Sequence, residues 1–276
     1  MAVVQKAIQG YQYVFEELPD PRTKDWWLVT GPGPLLTILA TYLYFCIKAG
    51  PKYMKDRKPY NLKNVVMVYN ILQICLSLFL SIRGLSYIFT ESYNNKCYSI
   101  DYSSNPTALK WAEGVWWFFF AKITELLDTV FFVLRKKDRQ ITFLHLYHHT
   151  IMPIIAWIGL KYAAGGQAVP EGSINAFIHV VMYTYYLIAG LGPQYQKYLW
   201  WKKHLTTMQL IQFCIVVFLN VNSLSSSNCN YPKYLSWLVM FNCVAFFYMF
   251  GKFYYNTYVR RGDKNQKTLN NANKDA

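Results

Sequence analysis

Residues 141–160 read ITFLHLYHHTIMPIIAWIGL, an apolar stretch that is interrupted by three histidines. Its length matches the roughly 20 residues that a helix needs to cross a bilayer. In a helix, His145 lies one turn below His148 and His149, so the three imidazoles share one face. The stretch therefore predicts a membrane helix with a histidine box, His145, His148 and His149, in its interior.

Six further apolar runs flank this stretch along the chain. They cover residues 33–49, 64–82, 112–134, 172–191, 205–223 and 234–251. Only 15% of the 276 residues are charged, whereas about 25% is usual in soluble proteins. The pattern predicts an all-α integral membrane protein with seven transmembrane helices. Since no repeat or linker divides the sequence, we expect a single domain over residues 1–276.

Basic residues are distributed unevenly over the connections between these runs. The connections after the first, third and fifth runs are rich in Lys and Arg, as is the C-terminal tail, and the others are poor. By the positive-inside rule, this alternation predicts a luminal N-terminal segment, residues 1–32, and a cytosolic tail, residues 256–276. The net charge of +14 is thus accounted for by membrane loops, and we expect no nucleic acid partner.

Polar side chains recur at membrane depth in four of the runs. Because ionisable groups are costly there, each is a functional candidate. Besides the histidine box, the candidates are Lys122, Glu125, Asp128, Asn175, His179, Tyr183, Tyr186, Gln209 and Gln212. Their spacing of three or four residues predicts one polar stripe per helix. We expect the four helices to direct these stripes into one interior cavity, open to the cytosol.

Two kinds of chemistry suit such a histidine cluster. Neutral imidazoles bind transition metals, and Asp128 or Glu125 could add an oxygen ligand. Alternatively, an imidazole can accept an acyl group, and a carboxylate such as Asp128 can fix the tautomer of a neighbouring ring. The amides Asn175, Gln209 and Gln212 have a plainer interpretation as interhelical hydrogen-bonding groups. The residue pattern alone leaves these alternatives open.

Four motifs in order give the chain a resemblance to the very-long-chain fatty acid elongases, the membrane 3-ketoacyl-CoA synthases of the endoplasmic reticulum. The motifs are Lys122-x-x-Glu125-x-x-Asp128-Thr129, His145-x-x-His148-His149, Asn175-x-x-x-His179-x-x-Met182-Tyr183-x-Tyr185-Tyr186 and Thr206-x-x-Gln209-x-x-Gln212. The resemblance implies that long-chain acyl-CoA condenses with malonyl-CoA to give 3-ketoacyl-CoA, CoA and carbon dioxide. It implies neither a metal nor another cofactor.

The resemblance also implies roles for individual residues. His148 would be the nucleophile that takes the acyl chain as an acyl-imidazole, with His145, His149 and Asp128 positioning the rings and handling protons. His179, oriented by Asn175, would lie across the cavity near the reacting carbon. Basic residues at the cytosolic mouth would attract the CoA phosphates, and the acyl chain would lie in an apolar channel between helices. These basic residues are Arg135, Lys136 and Lys202.

The resemblance places the chain in the endoplasmic reticulum membrane. Its partners there would be the lipid bilayer, other enzymes of the elongation cycle and further copies in homo- or hetero-oligomers. Cys97 and Cys229 lie in the two predicted luminal connections, where an oxidising compartment permits a disulfide; two unpaired thiols are the alternative. At the C-terminus, Lys274 fits a dilysine retrieval pattern, but Ala272 stands where its second lysine would be.

Two other classes of seven-span protein share the predicted topology. A receptor would not be expected to surround a cytosolic cavity with four histidines. A transporter or proton channel could use intramembrane histidines as a relay, and it would show flux across sealed liposomes.

Overall fold

The computed structural model of the chain describes residues 2–91 and 97–260, which form helices joined by short connections, with no β-sheet in these ranges. The helices are α1 Ala2–Gln12, α2 Pro32–Tyr44, α3 Gly50–Met54, α4 Lys63–Thr90, α5 Pro106–Thr124, α6 Leu127–Leu134, α7 Phe143–Tyr162, α8 Ala168–Leu191, α9 Lys202–Ser225 and α10 Lys233–Tyr254. A π-helical turn joins α2 to α3, so these two form one continuous helix. The predicted dilysine signal and most of the predicted tail lie outside the described residues.

Five segments in the described ranges are long and apolar enough to cross a membrane. They are Pro32–Met54, Lys63–Thr90, Ala168–Leu191, Lys202–Ser225 and Lys233–Val259. These segments coincide with the first, second, fifth, sixth and seventh apolar runs. Only 22–33% of the apolar window in each is buried, so large side chains such as Phe89 and Phe241 face outward. An all-helical membrane protein with an apolar outer surface is confirmed, whereas the count of seven spans stays a prediction.

The third run differs most from its predicted form. Instead of one helix over residues 112–134, the structure has α5 and α6, with a break at Glu125 and Leu126. Asn105 caps the start of α5 by accepting a hydrogen bond of 2.8 Å from Ala108 N. The apolar pattern could not reveal the break, because apolar residues continue on both sides of it.

The ends of the bundle differ in charge. Tyr60 N donates a hydrogen bond of 3.0 Å to Leu134 O, and Lys63 Nζ donates one of 3.2 Å to Leu191 O. These contacts bring the basic connections after α3, α6 and α8 together, at what we call the basic end. Helices α4, α7, α8, α9 and α10 each run between this end and the opposite one.

A disulfide marks the opposite end, which we call the disulfide end. Cys97 and Cys229 are bonded, with Cα atoms 5.7 Å apart, so the predicted bridge is confirmed. Beside it, Tyr102 Oη donates a hydrogen bond of 3.2 Å to Tyr162 O. The bridge thereby ties the connection after α4 to the connection between α9 and α10.

We expect that replacing both Cys97 and Cys229 with serine will lower the free energy of unfolding by about 2–5 kcal/mol, because the bridge closes a long loop. Thermal unfolding of the detergent-solubilised protein, with and without reductant, measures this effect. Cys214→Ser is the control: this exposed free thiol should change stability by no more than about 0.5 kcal/mol. An unchanged melting temperature in the double variant would contradict the prediction.

Candidate active site

The histidine box lies in the first two turns of α7. Thr142 caps this helix by accepting a hydrogen bond of 3.2 Å from His145 N. His145 Nε2 lies 2.8 Å from Thr129 Oγ1, which lies 2.8 Å from Tyr42 Oη. The ring centroids of His145 and His149 are 4.2 Å apart. The Thr129 and Tyr42 hydroxyls therefore anchor His145, which in turn packs against His149.

His148 has different surroundings from the other two histidines of the box. It lines a large cavity between the helices, and its ring centroid lies 5.3 Å from that of His149 and 5.3 Å from that of Phe246. Within the described residues, neither ring nitrogen of His148 has a hydrogen-bond partner in the protein. Its nitrogens are therefore available to a molecule bound in the cavity.

The break between α5 and α6 places a carboxylate beside the predicted fourth histidine. Glu125 accepts hydrogen bonds of 2.8 and 3.0 Å from Lys122 Nζ, and each residue is only 2% exposed. Its Oε1 also lies 3.0 Å from His179 Nδ1, although this N–H is not directed at the oxygen as in a hydrogen bond. Glu125 thus lies between a buried cation and an imidazole.

Asp128 faces a tyrosine rather than the histidine box. Its Oδ2 accepts a hydrogen bond of 2.8 Å from the fully buried Tyr183, whose hydroxyl lies 3.4 Å from that of Tyr69. Within the described chain it has no hydrogen bond to a histidine, because its carboxylate is directed at Tyr183 on α8. The sequence-based role of Asp128 in handling protons stays a prediction.

The remaining polar candidates of α8 and α9 divide into two groups. Asn175 and Gln212 line the same cavity as His148, and Asn175 Oδ1 is buried without a hydrogen-bond partner in the described part of the chain. By contrast, Gln209 is half-buried and outside the cavity lining, and Tyr186 is 38% exposed. Asn175 and Gln212 are thus the amides placed to meet a ligand.

The cavity extends from His148 towards the disulfide end. Its walls come from α4, α5, α7, α8, α9 and α10 and are largely apolar, with Phe118, Met152, Ile155, Val216, Leu238 and Val239 among the lining residues. Trp111 and Tyr231 line it at the disulfide end. The described lining therefore forms an apolar channel with polar groups at the histidine end.

The predicted phosphate-binding cations lie at the basic end, outside this lining. Lys136 Nζ donates a hydrogen bond of 3.1 Å to Lys55 O, and Lys202 Nζ lies 6.0 Å from the centroid of the Tyr185 ring. Arg135 is half-buried at the end of α6. The histidine box therefore lies between these cations and the apolar channel.

Sequence reasoning missed a polar stripe on α4. Gln73 Nε2 donates a hydrogen bond of 2.9 Å to Thr124 Oγ1, and Tyr69 Oη donates one of 3.3 Å to Thr124 O. Both side chains are buried, as are Asn70 and Ser77 on the same helix. The spacing of three to four residues that identified the other stripes is present here too, and it would have revealed this one.

His, Cys, Asp and Glu side chains in the described ranges form no group of three or more arranged to hold a metal ion. The metal-binding alternative that the sequence left open therefore gains no support from the geometry. The arrangement instead supplies a free imidazole at the head of an apolar channel, with a hydroxyl-anchored imidazole and a buried ion pair behind it.

Comparison with known proteins supports the motif resemblance over nearly the whole chain. The profile of the ELO, or GNS1/SUR4, family matches residues 27–266. A very long chain fatty acid elongase of Aedes aegypti is 42% identical over 94% of this chain and 72% of its own length. Very long chain fatty acid elongase 7 of Drosophila melanogaster is 40% identical over 94% and 79%. The protein of that name in Rattus norvegicus is 41% identical over 92% and 90%. The chain therefore belongs to the ELO family, GNS1/SUR4, alongside relatives named very long chain fatty acid elongases.

Proposed function

We propose that this chain is a 3-ketoacyl-CoA synthase that condenses long-chain acyl-CoA with malonyl-CoA in the endoplasmic reticulum membrane. Family membership and the names of the relatives support fatty acid elongation and acyl-CoA substrates. The observation that carries the reaction is the position of His148: its ring lies at the head of an apolar channel, and no side chain or backbone group of the described residues forms a hydrogen bond with it. An acyl chain in that channel would bring its thioester carbon to this ring.

The reaction proceeds in two steps. In the first, a nitrogen of His148 attacks the thioester carbon, the C–S bond breaks, and CoA leaves as the thiolate. In the second, malonyl-CoA loses carbon dioxide, its carbanion forms a C–C bond with the acyl carbon, and the C–N bond to His148 breaks. Imidazole suits this sequence because it is both a nucleophile and a good leaving group. The product is a 3-ketoacyl-CoA two carbons longer, and His148 is regenerated.

Neighbouring side chains would position and stabilise these groups. His145 is hydrogen-bonded to Thr129 and packs against His149. It can therefore hold the His149 ring in place beside the nucleophile, His148. His179 Nδ1 lies 3.0 Å from Glu125 Oε1, so this carboxylate can orient the ring, whose other nitrogen would then donate a hydrogen bond to the reacting oxygen. Asn175, with its unpaired carbonyl, is placed to accept a hydrogen bond from the second substrate.

The proposed topology has seven spans in a single domain, with the N-terminus in the lumen and the C-terminus in the cytosol. The basic connections meet at one end and the disulfide lies at the other, which supports cytosolic and luminal sides respectively. Arg135, Lys136 and Lys202 at the basic end would then attract the anionic CoA phosphates.

The direct test uses purified protein in lipid nanodiscs with long-chain acyl-CoA and labelled malonyl-CoA. We expect labelled 3-ketoacyl-CoA and one carbon dioxide per product. Sealed liposomes containing the protein test the transporter alternative in parallel. Ion or proton flux without any condensation product, across saturated and unsaturated primers, would overturn the proposal.

If the cavity is the acyl channel, a larger side chain at Gly159 should shorten the acyl chains of the products. Gly159 lines the cavity 11 residues beyond His148 on α7, about 16 Å along the helix, and a Cβ there would meet no atom within 4 Å. Because the Cβ has space, Gly159→Leu should project its side chain into the channel and stop elongation at least one cycle earlier. Product analysis by mass spectrometry measures this shift.

Gly251→Leu provides the matched control for this prediction. A Cβ at Gly251 also meets no atom within 4 Å, but this residue does not line the cavity. Its product lengths should equal those of the wild type. If Gly159→Leu also gave wild-type product lengths, the cavity would not be the acyl channel.

A further inference from the structure

The N-terminal helix, α1, is amphipathic, and the condensation does not use it. With 3.6 residues per turn, Val4, Ile8 and Tyr11 lie on one face, whereas Lys6 and Gln9 lie on the opposite one. In a globular protein, an apolar face of this kind normally packs against the core. Here Val4, Ile8 and Tyr11 are 62%, 53% and 51% exposed, so the described part of the chain leaves much of this face uncovered.

The ring contacts of Tyr11 and Phe15 show which way the apolar face is directed. A π-helical turn, Tyr13–Glu17, continues α1, and the ring centroids of Tyr11 and Phe15 are 4.8 Å apart, so Phe15 extends the apolar face. The Phe15 ring centroid lies 6.5 Å from that of Trp157, which is five residues, about 7.5 Å, inside the end of α7. The apolar face is therefore turned towards the body of the bundle rather than away from its end.

Helix α1 lies at the disulfide end, at the level where α2 begins and α7 ends. Tyr162 Oη, in the last turn of α7, donates a hydrogen bond of 3.0 Å to Val14 O. A Cβ on Gly31, the residue before α2, would lie 4.0 Å from Tyr11 Oη. Trp27, four residues before Gly31, is 64% exposed, and exposed tryptophans are typical of the boundary between headgroups and acyl chains. These contacts place α1 at the level of that boundary.

The exposure of the apolar face changes along α1. Phe15 is partly buried against the core, whereas Val4 and Ile8 are exposed, although all three share one face. The start of α1 therefore extends beyond the edge of the bundle, where lipid surrounds the apolar outer surface of the spanning segments.

We propose that α1 is an interfacial helix whose apolar face binds the bilayer leaflet at the disulfide end. Its partner is the upper part of the lipid acyl chains in that leaflet. Amphipathic helices of this kind lie in the plane of the membrane, with their apolar side chains about 5–10 Å into the boundary of headgroups and acyl chains. The contact does not depend on the chemistry proposed for His148.

The charges of this segment indicate which lipids it fits. Over residues 2–18, Lys6 is opposed by Glu16 and Glu17, so basic side chains do not outnumber acidic ones. Interfacial helices that depend on anionic lipids are instead rich in Lys and Arg. We therefore expect α1 to bind a zwitterionic leaflet of phosphatidylcholine, and to do so regardless of salt.

The experiment measures the depth of a fluorophore on α1 in nanodiscs of phosphatidylcholine. The exposed free thiols Cys75 and Cys214 are replaced with alanine, and Ile8→Cys or Gln9→Cys carries the fluorophore. We expect a nitroxide near the headgroup end of the lipid acyl chain to quench labelled Ile8→Cys at least about twice as strongly as labelled Gln9→Cys. Aqueous iodide should give the reverse order. Both orders should persist at about 1 M salt, where the Debye length is about 3 Å.

Two further substitutions test whether apolar burial holds the helix in place. Val4→Glu, added to labelled Ile8→Cys, should lower quenching by the lipid nitroxide, because a carboxylate on the apolar face opposes its burial. Gln9→Glu is the matched control: it places the same charge on the polar face and should leave the quenching unchanged. Equal quenching in these two variants would contradict the proposal.

The labelled proteins also distinguish the other ways of covering or exposing this face. Strong iodide quenching of both Ile8→Cys and Gln9→Cys, with little quenching by lipid, would place α1 in water and overturn the proposal. Protection of Ile8→Cys from both quenchers would mean that protein covers the face, which would overturn it too. Dipolar coupling between spin labels at Ile8→Cys on two protomers would then identify the cover as a second copy.

Discussion

Replacing His148 with alanine is expected to reduce the rate of acyl transfer from acyl-CoA by at least about 1,000-fold, as losses of catalytic nucleophiles generally do. The reason is geometric: of the histidine box, His148 lines the apolar channel, while His145 is bound to Thr129. A single-turnover assay without malonyl-CoA measures the release of CoA. Mass spectrometry of the trapped protein locates the acyl group.

His204→Ala is the control for this experiment. His204 lies exposed near the start of α9, where its ring centroid is 6.0 Å from that of Trp200. Its loss should leave CoA release near the wild-type rate. If folded His148→Ala protein still formed the acyl-enzyme at the wild-type rate, His148 would not be the nucleophile, and His145 or His149 would be tested next.

Glu125→Leu is expected to destabilise the protein by about 3–5 kcal/mol, because it leaves the Lys122 ammonium buried without its counter-ion. Lys122 is 2% exposed, and within the described residues both hydrogen bonds of its ammonium group go to the Glu125 carboxylate. The variant also removes the carboxylate beside His179, so condensation should be lost as well. Reversible unfolding in mixed micelles of a mild detergent and SDS measures the change in free energy.

Two further variants separate stability from chemistry. The double variant Lys122→Met/Glu125→Leu should recover most of the stability, since well-packed apolar side chains often replace a buried ion pair without loss. It should remain inactive, because His179 still lacks its carboxylate.

Glu113→Gln is the control. It breaks the ion pair between Arg83 and the 57% exposed Glu113 carboxylate, and should lower the free energy of unfolding by no more than about 1 kcal/mol. A stable, active Glu125→Leu protein would contradict the assignment of this ion pair.

Much of the architecture could be predicted from the chain alone. A helix that crosses a bilayer must be long and apolar, so it can be recognised in the sequence as an apolar run. All five candidate spanning segments coincide with such runs. Helical periodicity likewise places His145, His148 and His149 within reach of each other, and the structure confirms their close contacts. The distribution of basic residues assigns the connections that contain Cys97 and Cys229 to the lumen. The two cysteines were therefore candidates for a disulfide, and they are bonded.

Other features depend on contacts between helices that are far apart in sequence. Periodicity places Lys122, Glu125 and Asp128 on one stripe, but it does not identify the side chains that this stripe contacts. Glu125 then meets His179, and Asp128 meets Tyr183. No local pattern predicts these two pairings, because they depend on how α8 packs against α5 and α6.

The sequence by itself therefore determined the membrane class, which follows from the apolar solvent, and the histidine box, which follows from the helical repeat. It made Cys97 and Cys229 candidates for a disulfide but left their pairing open. Only the tertiary structure decided that His148 is the box histidine that faces the channel, and that Glu171 lies at the far end of it. Glu171 stands just before an apolar run and looks like an ordinary helix-start residue. Its surroundings come from the helices that enclose it, which place it in the cavity wall beside Asn220, its hydrogen-bond partner on α9.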